Sequence, residues 1–447
     1  MKHLFHGGIH PTDGTDKQLS NQVPIRIYTP KTVEISMKQS PNSVCEALVN
    51  TGDRVSKGDL IGRPVKFGAA NIHASISGIV IDVKIIRDDH DRDIEVVVIE
   101  SDENEVTTEP VGEYEQKLID LSHYSREVII EKMEEGGLVG LGGAGFPTHV
   151  KYETTEVINY ILVNAAECEP YLTCDHRLMI EQGHAIVNGA LLLVKASGAM
   201  KAIICLEDNK EDAAKVFEEI IADKDLPIEI KILPTKYPQG GERQLVKSVL
   251  GTEVPVGELP AKIGVIINNV GTAKALADIV LADKPLVSRV VTVTGKVKNP
   301  QNYLVPIGTK FTELIEESGG TTAKINRVVE GGPMTGVSRL ISDDIDKLYE
   351  SVSKTTTGLL IFEDSGRDET PCIRCGECER VCPAGLAPFK IDFAVLDGDI
   401  GLCNKLYSTE CISCGCCTYV CPARRELAYR VTEAKNEIFK LRREGAI

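Results

Sequence analysis

The sequence contains no tryptophan, few aromatic residues and no long apolar run. Aromatic residues make up 5% of its 447 residues, which argues against an aromatic-rich recognition surface. A helix needs about 20 consecutive, mainly apolar residues to span a bilayer, and the sequence has no such run. We therefore expect no transmembrane segment.

Positive charge is also scarce. The chain has 50 Lys and Arg residues against 66 Asp and Glu residues, a formal net charge of -16. Nucleic-acid binding and adsorption to anionic lipid both rely on basic patches, so the charge argues against both. Residues 1–8 lack the apolar core of a signal peptide. We expect a cytoplasmic protein that binds no nucleic acid and reaches a membrane only through a partner protein.

Cysteines, by contrast, are abundant, and eight of the 14 form two copies of one pattern near the C-terminal end. Each copy has the spacing C-x2-C-x2-C-x3-C-P. This spacing is typical of bacterial proteins with two [4Fe-4S] clusters, in which the fourth cysteine of each run binds the other cluster. We therefore predict one cluster on Cys372, Cys375, Cys378 and Cys421, and a second on Cys382, Cys411, Cys414 and Cys417.

Zinc and disulfide bonds are the alternatives for these cysteines. C-x2-C pairs also bind zinc, but structural zinc sites use four tetrahedral ligands, typically in two separated pairs. A dense triplet followed by Cys-Pro fits that arrangement poorly. Disulfides belong to oxidising compartments and short secreted chains. Cys403 and Cys416 lie outside the pattern, and we assign them no role.

Residues 1–105 predict an all-β module. Segments 32–37, 78–86 and 94–99 are rich in Val and Ile, and turn residues separate them. The turn-rich hairpin at 52–62 and the strand after it resemble the barrel-sandwich fold of biotinyl and lipoyl carrier domains. The hairpin lacks the lysine turn on which such carriers are modified. We therefore expect a structural or docking module.

Residues 106–285 alternate between helical and β patterns, which predicts a Rossmann-like, mostly parallel α/β domain. A glycine-rich loop at 136–148 includes Gly140, Gly142, Gly143 and Gly145. It follows a predicted helix rather than a strand, so a standard dinucleotide fingerprint fails on context. Glycines still let backbone N–H groups approach a phosphate, and the helix start that follows favours anions.

Polar residues follow two predicted strands of this domain, at the edge where open α/β sheets bind ligands. A second glycine turn opens another helix. Together these segments predict a nucleotide pocket. Its candidate residues are Asn164, Glu167, Glu169, Gly240, Glu242, Asn268, Asn269 and Thr272.

The segments GLGGAGFPT (140–148), NAAECEP (164–170) and NNVGT (268–272) resemble the flavin- and NADH-binding subunit of respiratory complex I. The resemblance covers about 125–285 and implies FMN and NADH sites. It implies that the loop glycines and Lys151 hold the FMN phosphate, and that Asn164, Asn268 and Asn269 bond the flavin. Phe146 and Glu242 would border the nicotinamide. Two departures are Leu141, where the family usually has Arg, and Gly241, where it has Glu.

Residues 286–350 resemble the soluble-ligand-binding β-grasp domain that follows the flavin domain in that subunit. Residues 351–447 hold the cysteine runs, and we predict an α-helical two-cluster ferredoxin domain with a C-terminal helix. The predicted fold class is thus multidomain α/β. This domain order resembles the C subunits of Rnf ion-translocating ferredoxin:NAD oxidoreductase complexes over nearly the whole chain.

The resemblance implies a peripheral subunit on the cytoplasmic face of the cell membrane. It would work with other subunits of the complex, especially a ferredoxin-like iron–sulfur subunit, while membrane subunits export Na+ or H+. Clusters pass single electrons, nicotinamide takes a hydride and flavin does both. Electrons would therefore move between two [4Fe-4S] clusters, FMN and NAD(H). The acidic Glu167 and Glu169 favour NAD over NADP.

Two redox alternatives remain open from the sequence, and a third, a non-redox assembly module, holds only if the clusters are absent. In the first, the flavin domain is degenerate and the clusters only relay electrons between partners. In the second, the chain is a subunit of a soluble, flavin-dependent NADH dehydrogenase or hydrogenase and is active without a membrane partner.

Overall fold

The structure is a computed structural model that describes residues 4–11, 17–40, 44–88, 92–102, 111–341, 348, 350–363 and 368–446. Within these ranges it is a multidomain α/β protein with four sheets. The predicted domain boundary at 105/106 lies outside the described residues. Among the helices within these ranges, none combines the length and the apolarity needed to cross a bilayer.

A β module follows the short helix α1 (Gln18–Asn21) and the strand β1 (Arg26–Ile27). Its strands are β2 (Thr32–Ser36), β3 (Cys45–Ala47), β4 (Arg54–Val55), β5 (Leu60–Pro64), β6 (Ile72–His73), β7 (Gly78–Arg87) and β8 (Asp93–Ser101). They form two antiparallel sheets with the orders β2-β8-β7-β4 and β3-β5-β6. Side chains alternate between the two faces of a strand, so Val33 and Ile35 of β2 are buried in the core.

The described part of the α/β domain contains seven α-helices and four strands. They are α2 (Arg126–Glu135), α3 (Thr148–Tyr152), β9 (Tyr160–Ala165), α4 (Cys174–Glu181), α5 (Gly183–Ser197), β10 (Lys201–Glu207), α6 (Glu211–Ile221), β11 (Ile228–Leu233), α7 (Glu242–Leu250), β12 (Val265–Asn269) and α8 (Val270–Ala282). The sheet order is β11-β10-β9-β12, and every pair is parallel. The parallel sheet that the sequence predicts is therefore present.

This strand order creates a switch point. The chain leaves β9 towards β10 and β11 on one side, and β12 then returns to the other side of β9. Helices α5 and α8, which follow β9 and β12, pack against each other on one face of the sheet, and α7 covers the other face. The reversal of strand order leaves a crevice at the carboxyl ends of β9 and β12, where open α/β sheets bind ligands. The register places Asn164 of β9 opposite Asn269 of β12, so the two predicted polar ends meet at this crevice.

The third unit, which we name the mixed-sheet unit, is built on a six-stranded mixed sheet. Its later elements are β13 (Ser288–Gly295), β14 (Gln301–Pro306), α9 (Phe311–Glu317), β15 (Arg327–Glu330), β16 (Val337–Leu340) and β17 (Gly358–Phe362). The order is β1-β14-β13-β17-β15-β16. The sheet thus extends beyond the predicted limits of 286–350 at both ends, because β1 and β17 complete it through pairing that is distant in sequence.

The last unit, which we name the cysteine unit, is helical and contains both cysteine runs. Its helices are α10 (Glu377–Arg380), α11 (Pro388–Leu396), α12 (Ile400–Lys405), α13 (Cys416–Tyr419) and α14 (Leu427–Arg443). Asp392 is fully buried in this unit and accepts hydrogen bonds from Arg425 Nε at 2.7 Å and Arg430 Nη1 at 2.9 Å. Two guanidinium groups offset the cost of burying one carboxylate, and they hold α11 against the segment that enters α14.

Candidate functional site: a shared cleft beside two cysteine sets

A cleft of about 1300 Å³ lies at the carboxyl ends of β9 and β12. This volume exceeds the range of about 300–1,000 Å³ that is typical of single small-molecule sites. The α/β domain, the β module, the mixed-sheet unit and the cysteine unit all contribute lining residues. The cleft is therefore large enough for two ligands, and it is a junction between four parts of the chain.

The glycine loop closes on itself at one side of this cleft. Gly140 N donates to Phe146 O at 2.9 Å, and Gly145 N donates to Gly140 O at 3.1 Å. Thr272 is fully buried, and its hydroxyl accepts a hydrogen bond from Leu141 N at 2.9 Å. Thr272 thus anchors the loop to helix α8 instead of lining the cleft.

Gly143 is the loop residue most open to a ligand. Its φ of +113° is rarely adopted by residues with a side chain, and a Cβ there would meet no atom within 4 Å. Gly142 and Gly143 both line the cleft. Gly145 has a different role, because a Cβ at this position would lie 2.6 Å from Thr355 and 2.7 Å from Ser40. The loop therefore exposes backbone on one side and packs tightly against two other segments.

The asparagines that end the strands behave differently from one another. Asn164 lines the cleft and donates to Gly240 O at 2.8 Å, which ties β9 to the second glycine turn. Asn269 also lines it, caps α8 by accepting from Gly271 N and donates to Asp175 at 2.6 Å. Asn268 is buried, and its amide donates to the Tyr152 hydroxyl at 2.7 Å. The structure therefore does not bring Asn268 into the cleft.

The two glutamates after β9 are already engaged by the protein. Glu167 accepts hydrogen bonds from Asp175 N at 2.7 Å and His176 N at 3.3 Å, at the start of α4. Glu169 accepts from Met334 N at 3.1 Å and Thr335 Oγ1 at 2.5 Å, which joins it to the mixed-sheet unit. Burial raises the pKa of both carboxyl groups. Both side chains line the cleft as acidic groups with a reduced tendency to ionise.

Of the predicted residues Lys151, Glu242 and Phe146, the structure brings Glu242 alone into the lining of the cleft. Lys151 Nζ donates to Ile267 O at 3.0 Å and lies 3.3 Å from Glu242 Oε1. Glu242 and Gly240 line the cleft. Phe146 makes an edge-to-face contact with Phe67 of the β module, with ring centroids 6.5 Å apart, and 37% of its surface is exposed. Its ring is thus accessible beside the glycine loop.

Sequence reasoning missed one wall of the cleft. The β module contributes Ser36, Lys38, Gln39, Ser40, Lys84 and Arg87. A segment before β17 contributes hydroxyl groups at alternate positions: Ser351, Ser353, Thr355 and Thr357. The residues between them are buried. We call residues 351–357 the hydroxyl strip. Its alternation S-x-S-x-T-x-T predicts a segment with one polar face, and the structure bends it through a turn at 354–355.

The structure gathers the first predicted cysteine set around one small pocket. Cys372, Cys375, Cys378 and Cys421 all line it. Cys372 accepts from Arg374 N at 3.4 Å, and in the second run Cys411 accepts from Ser413 N at 3.3 Å. Arg374 and Ser413 both have positive φ, and so do the glycines that start α10 and α13. The two runs therefore repeat one backbone geometry.

The second predicted set lies beside the cleft. Burial raises the pKa of Cys417, and the neighbouring Cys411, Cys414 and Cys382 raise it further. Cys382 belongs to the first run in sequence, but it lies in a small apolar cluster against which Cys411 of the second run packs. Cys414 itself lines the cleft, and its carbonyl accepts a hydrogen bond from the Tyr237 hydroxyl at 2.7 Å.

These donor sets fit the groups that the sequence implies. Four thiols converge on each of two sites, and clustered thiolates are stable only when a cationic centre compensates their repulsion. Open backbone at Gly143 fits a phosphate, because successive N–H groups form an anion-binding concavity. The cleft also has room for a second, elongated ligand along the hydroxyl strip.

Comparison with known proteins agrees with this arrangement. A family model described as the Nuo51 FMN-binding domain matches residues 133–278. The RnfC barrel sandwich hybrid domain matches residues 3–104, and the SLBB domain matches residues 290–338. The β module, the α/β domain and the mixed-sheet unit thus each match a family model.

Relatives match over most of the chain. The C subunit of the Na(+)-translocating ferredoxin:NAD(+) oxidoreductase complex of Acetobacterium woodii is 39% identical over 453 residues, which span 100% of this chain and 99% of the relative. The C subunit of the proton-translocating complex of Clostridium ljungdahlii is 36% identical over 87% of this chain and 83% of the relative.

Among solved structures, an NAD+-reducing [NiFe]-hydrogenase in the H2-reduced state aligns with a TM-score of 0.50. The alignment has 20% identity and covers 71% of this chain and 61% of the hydrogenase chain. This similarity shows a shared fold. The relatives confirm the resemblance seen in the sequence, and the chain belongs to the family of C subunits of ion-translocating ferredoxin:NAD(+) oxidoreductase complexes.

Proposed function

We propose that this chain passes electrons between two [4Fe-4S] clusters, FMN and NAD(H) within an ion-translocating ferredoxin:NAD+ oxidoreductase complex. The observation that carries the proposal is the position of Cys414, which lines the same cleft as Gly142 and Gly143. A cluster on Cys382, Cys411, Cys414 and Cys417 would thus border the ligand that the glycine loop holds. Electrons could pass directly between them.

FMN, when bound, supplies the conversion between hydride transfer and single-electron transfer. The chain's own residues would hold it in place. Backbone N–H groups of Gly142 and Gly143 would bind its phosphate with the help of Lys151, and Asn164 and Asn269 would bond its polar edge. Thr272 keeps the loop in the binding geometry through the Leu141 bond.

NAD(H) would occupy the remaining part of the cleft. Glu242 lines it and would border the nicotinamide nucleotide. Phe146, which is partly exposed in the glycine loop, would be the second neighbour, although it is not among the lining residues. Glu167 and Glu169 line the cleft, and their ionised forms would disfavour the extra phosphate of NADP. The hydroxyl strip at 351–357 offers donors and acceptors to ribose and phosphate oxygens.

The first cysteine set indicates where a partner subunit would deliver electrons. The pocket of Cys372, Cys375, Cys378 and Cys421 lies apart from the cleft, and Cys375 is exposed. A cluster there would accept electrons from a ferredoxin-like iron–sulfur subunit, and so indirectly from ferredoxin. We propose a peripheral position on the cytoplasmic face of the membrane, where the other subunits of the complex move Na+ or H+.

An anaerobic NADH titration of the full chain tests the proposal. The chain is first reconstituted with iron, sulfide and FMN, and optical and spin-resonance spectra are recorded at each step. We expect NADH to bleach the flavin and then to reduce the clusters. If FMN binds but NADH reduces nothing, while dithionite reduces the clusters, the chain is a cluster-only relay and the nicotinamide role is wrong.

A further inference from the structure

A segment at the start of the chain crosses between the α/β domain and the cysteine unit. We name residues 4–11 the N-terminal strap. Gly8 N donates to Val381 O at 2.8 Å, and Ile9 exchanges two backbone hydrogen bonds with Tyr237, of 2.8 and 2.9 Å. Tyr237 lines the cleft and bonds Cys414 through its hydroxyl. The strap thus joins a cleft-lining turn to the residue that precedes Cys382.

Two glycines bring the strap into direct backbone contact on both sides. Gly7 has a φ of +66°, and a Cβ there would lie 2.7 Å from the carbonyl oxygens of Val381 and Cys382. Gly8 has a φ of +77°, and its Cβ would lie 2.6 Å from Tyr237 O. Neither position can accept a side chain without a shift of neighbouring backbone. The separation between the two units is therefore set by backbone packing.

Side chains fasten the strap in this position. Ile9 is buried in a small apolar cluster with Tyr237, Val381 and Cys416. Lys236 Nζ donates to the carbonyl of Phe5 at 3.1 Å and lies 4.3 Å from the centre of its ring. A segment that only continued the chain would need none of these contacts. Their convergence on Tyr237, Val381 and Cys382 indicates a role at this junction.

We infer that the N-terminal strap is a positioning element that sets the distance between the cleft and the cysteine set of Cys382, Cys411, Cys414 and Cys417. It thereby sets the rate of electron exchange between the ligands of the two sites. The inference rests on the proposed function. In each exchange one electron leaves the reduced flavin and enters the oxidised cluster, or the reverse, while a flavin proton passes to or from water.

The test compares Gly7→Ala and Gly8→Ala with Gly398→Ala in the full, reconstituted chain. Gly398 is a matched control, because it has a φ of +71° but a Cβ there meets no atom within 4 Å. Stopped-flow spectroscopy after anaerobic mixing with NADH separates flavin bleaching from cluster reduction. Hydrogen exchange reports on the backbone amides of Gly8, Ile9 and Tyr237.

We expect the strap variants to retain their iron and FMN and to bleach the flavin at the parental rate. Their cluster reduction should be several-fold slower, because the rate of electron transfer falls as the distance between donor and acceptor grows. Their three strap amides should exchange faster. The Gly398→Ala variant should match the parent in iron and FMN content, in both rates and in amide exchange.

Parental cluster reduction in the strap variants, despite faster amide exchange, would overturn the inference. So would a parallel loss of FMN, iron and both kinetic phases, because that pattern indicates a structural role alone. If the alanine variants do not fold, Lys236→Met removes the hydrogen bond to the Phe5 carbonyl of the strap and should still slow cluster reduction.

The proposed function can fail separately. If NADH does not bleach the parental flavin, the nicotinamide role is wrong, and photoreduction of the bound FMN with EDTA as the electron donor then starts the same flavin-to-cluster step. Slower cluster reduction in the strap variants under these conditions would still support the strap, and equal rates would refute it.

Discussion

The hydroxyl of Thr272 should control how tightly the chain binds FMN, although this residue does not line the cleft. Its oxygen accepts the Leu141 N–H at 2.9 Å in a fully buried position. Thr272→Val keeps the volume of the side chain and removes the acceptor. The Leu141 N–H then has no partner unless the glycine loop moves towards water.

The size of the effect follows from this single contact. A buried donor left without an acceptor costs about 1–3 kcal/mol. In the free variant the glycine loop relaxes so that the Leu141 N–H reaches water. Part of the free energy of FMN binding is then used to return the loop to its binding geometry. Because about 1.4 kcal/mol corresponds to tenfold in affinity, we expect the FMN dissociation constant to rise by roughly five- to a hundredfold.

Fluorescence titration of apo-protein with FMN measures this change directly. Thr309→Val is the matched control, since Thr309 is also fully buried and its hydroxyl donates to Pro306 O at 2.7 Å in the mixed-sheet unit. That variant should lose comparable stability and bind FMN normally. Parental FMN affinity in Thr272→Val, or equal weakening in both variants, would refute the role of the loop anchor.

Three further variants test other parts of the site. Cys375→Ser should lower iron from about eight to about four atoms per chain and leave FMN content unchanged, whereas undiminished iron would contradict the ligand set. Gly143→Val should abolish FMN binding without loss of iron, because its φ of +113° resists a side chain that would also fill the open loop, and normal flavin content would contradict the loop's role. Burial lowers the pKa of Lys354 from 10.5 to about 7, so the unfolded chain binds one more proton between these values and stability should rise with pH there, by at most about 1.4 kcal/mol per pH unit. Melting curves from pH 6 to 9 should show the parent gaining stability relative to Lys354→Met above pH 7, and a constant difference would exclude this titration.

Local sequence patterns predicted those features that depend on short-range geometry. Each cysteine triplet spans seven residues, so its spacing alone brings three thiols to one side of a turn. The parallel sheet followed from alternating helical and β patterns. The family could be recognised because its motifs are short segments at strand ends and loops, where ligand contacts constrain the residue type. The relatives then confirmed it.

The side on which a residue lies was harder to predict. Successive residues of a strand point to opposite faces, and the sequence offered both Asn268 and Asn269 at the end of β12. The structure places Asn269 in the cleft and directs Asn268 to the Tyr152 hydroxyl. Which face is buried depends on the helices that cover the sheet, and the sequence of a single strand does not show where those helices pack.

Contacts between distant segments were invisible in the sequence. The β module forms a wall of the cleft, and the strap reaches Val381 from the other end of the chain. No periodicity or motif specifies such pairs. The glycines Gly7 and Gly8 could have served as a signal, but a glycine pair near a chain start is equally typical of a simple turn.

The β module resembles carrier domains, yet its packing argues that it is a fixed part of the site. A carrier that swings between sites needs a mobile attachment, whereas this module shares one continuous hydrophobic core with the α/β domain. Lys354 reinforces the junction. It is almost completely buried, and its Nζ donates to Asn71 O at 2.6 Å and to Gly137 O at 2.7 Å.

These two bonds join the β module to the start of the glycine loop. A neutral amine has two N–H groups, and the two carbonyls use both, so the site suits the uncharged form that burial favours. Displacing the module would expose apolar core and leave these carbonyls and the amine without partners. The wall that Ser36, Gln39 and Ser40 form should therefore stay in place through the catalytic cycle, and the ligands rather than the module must move.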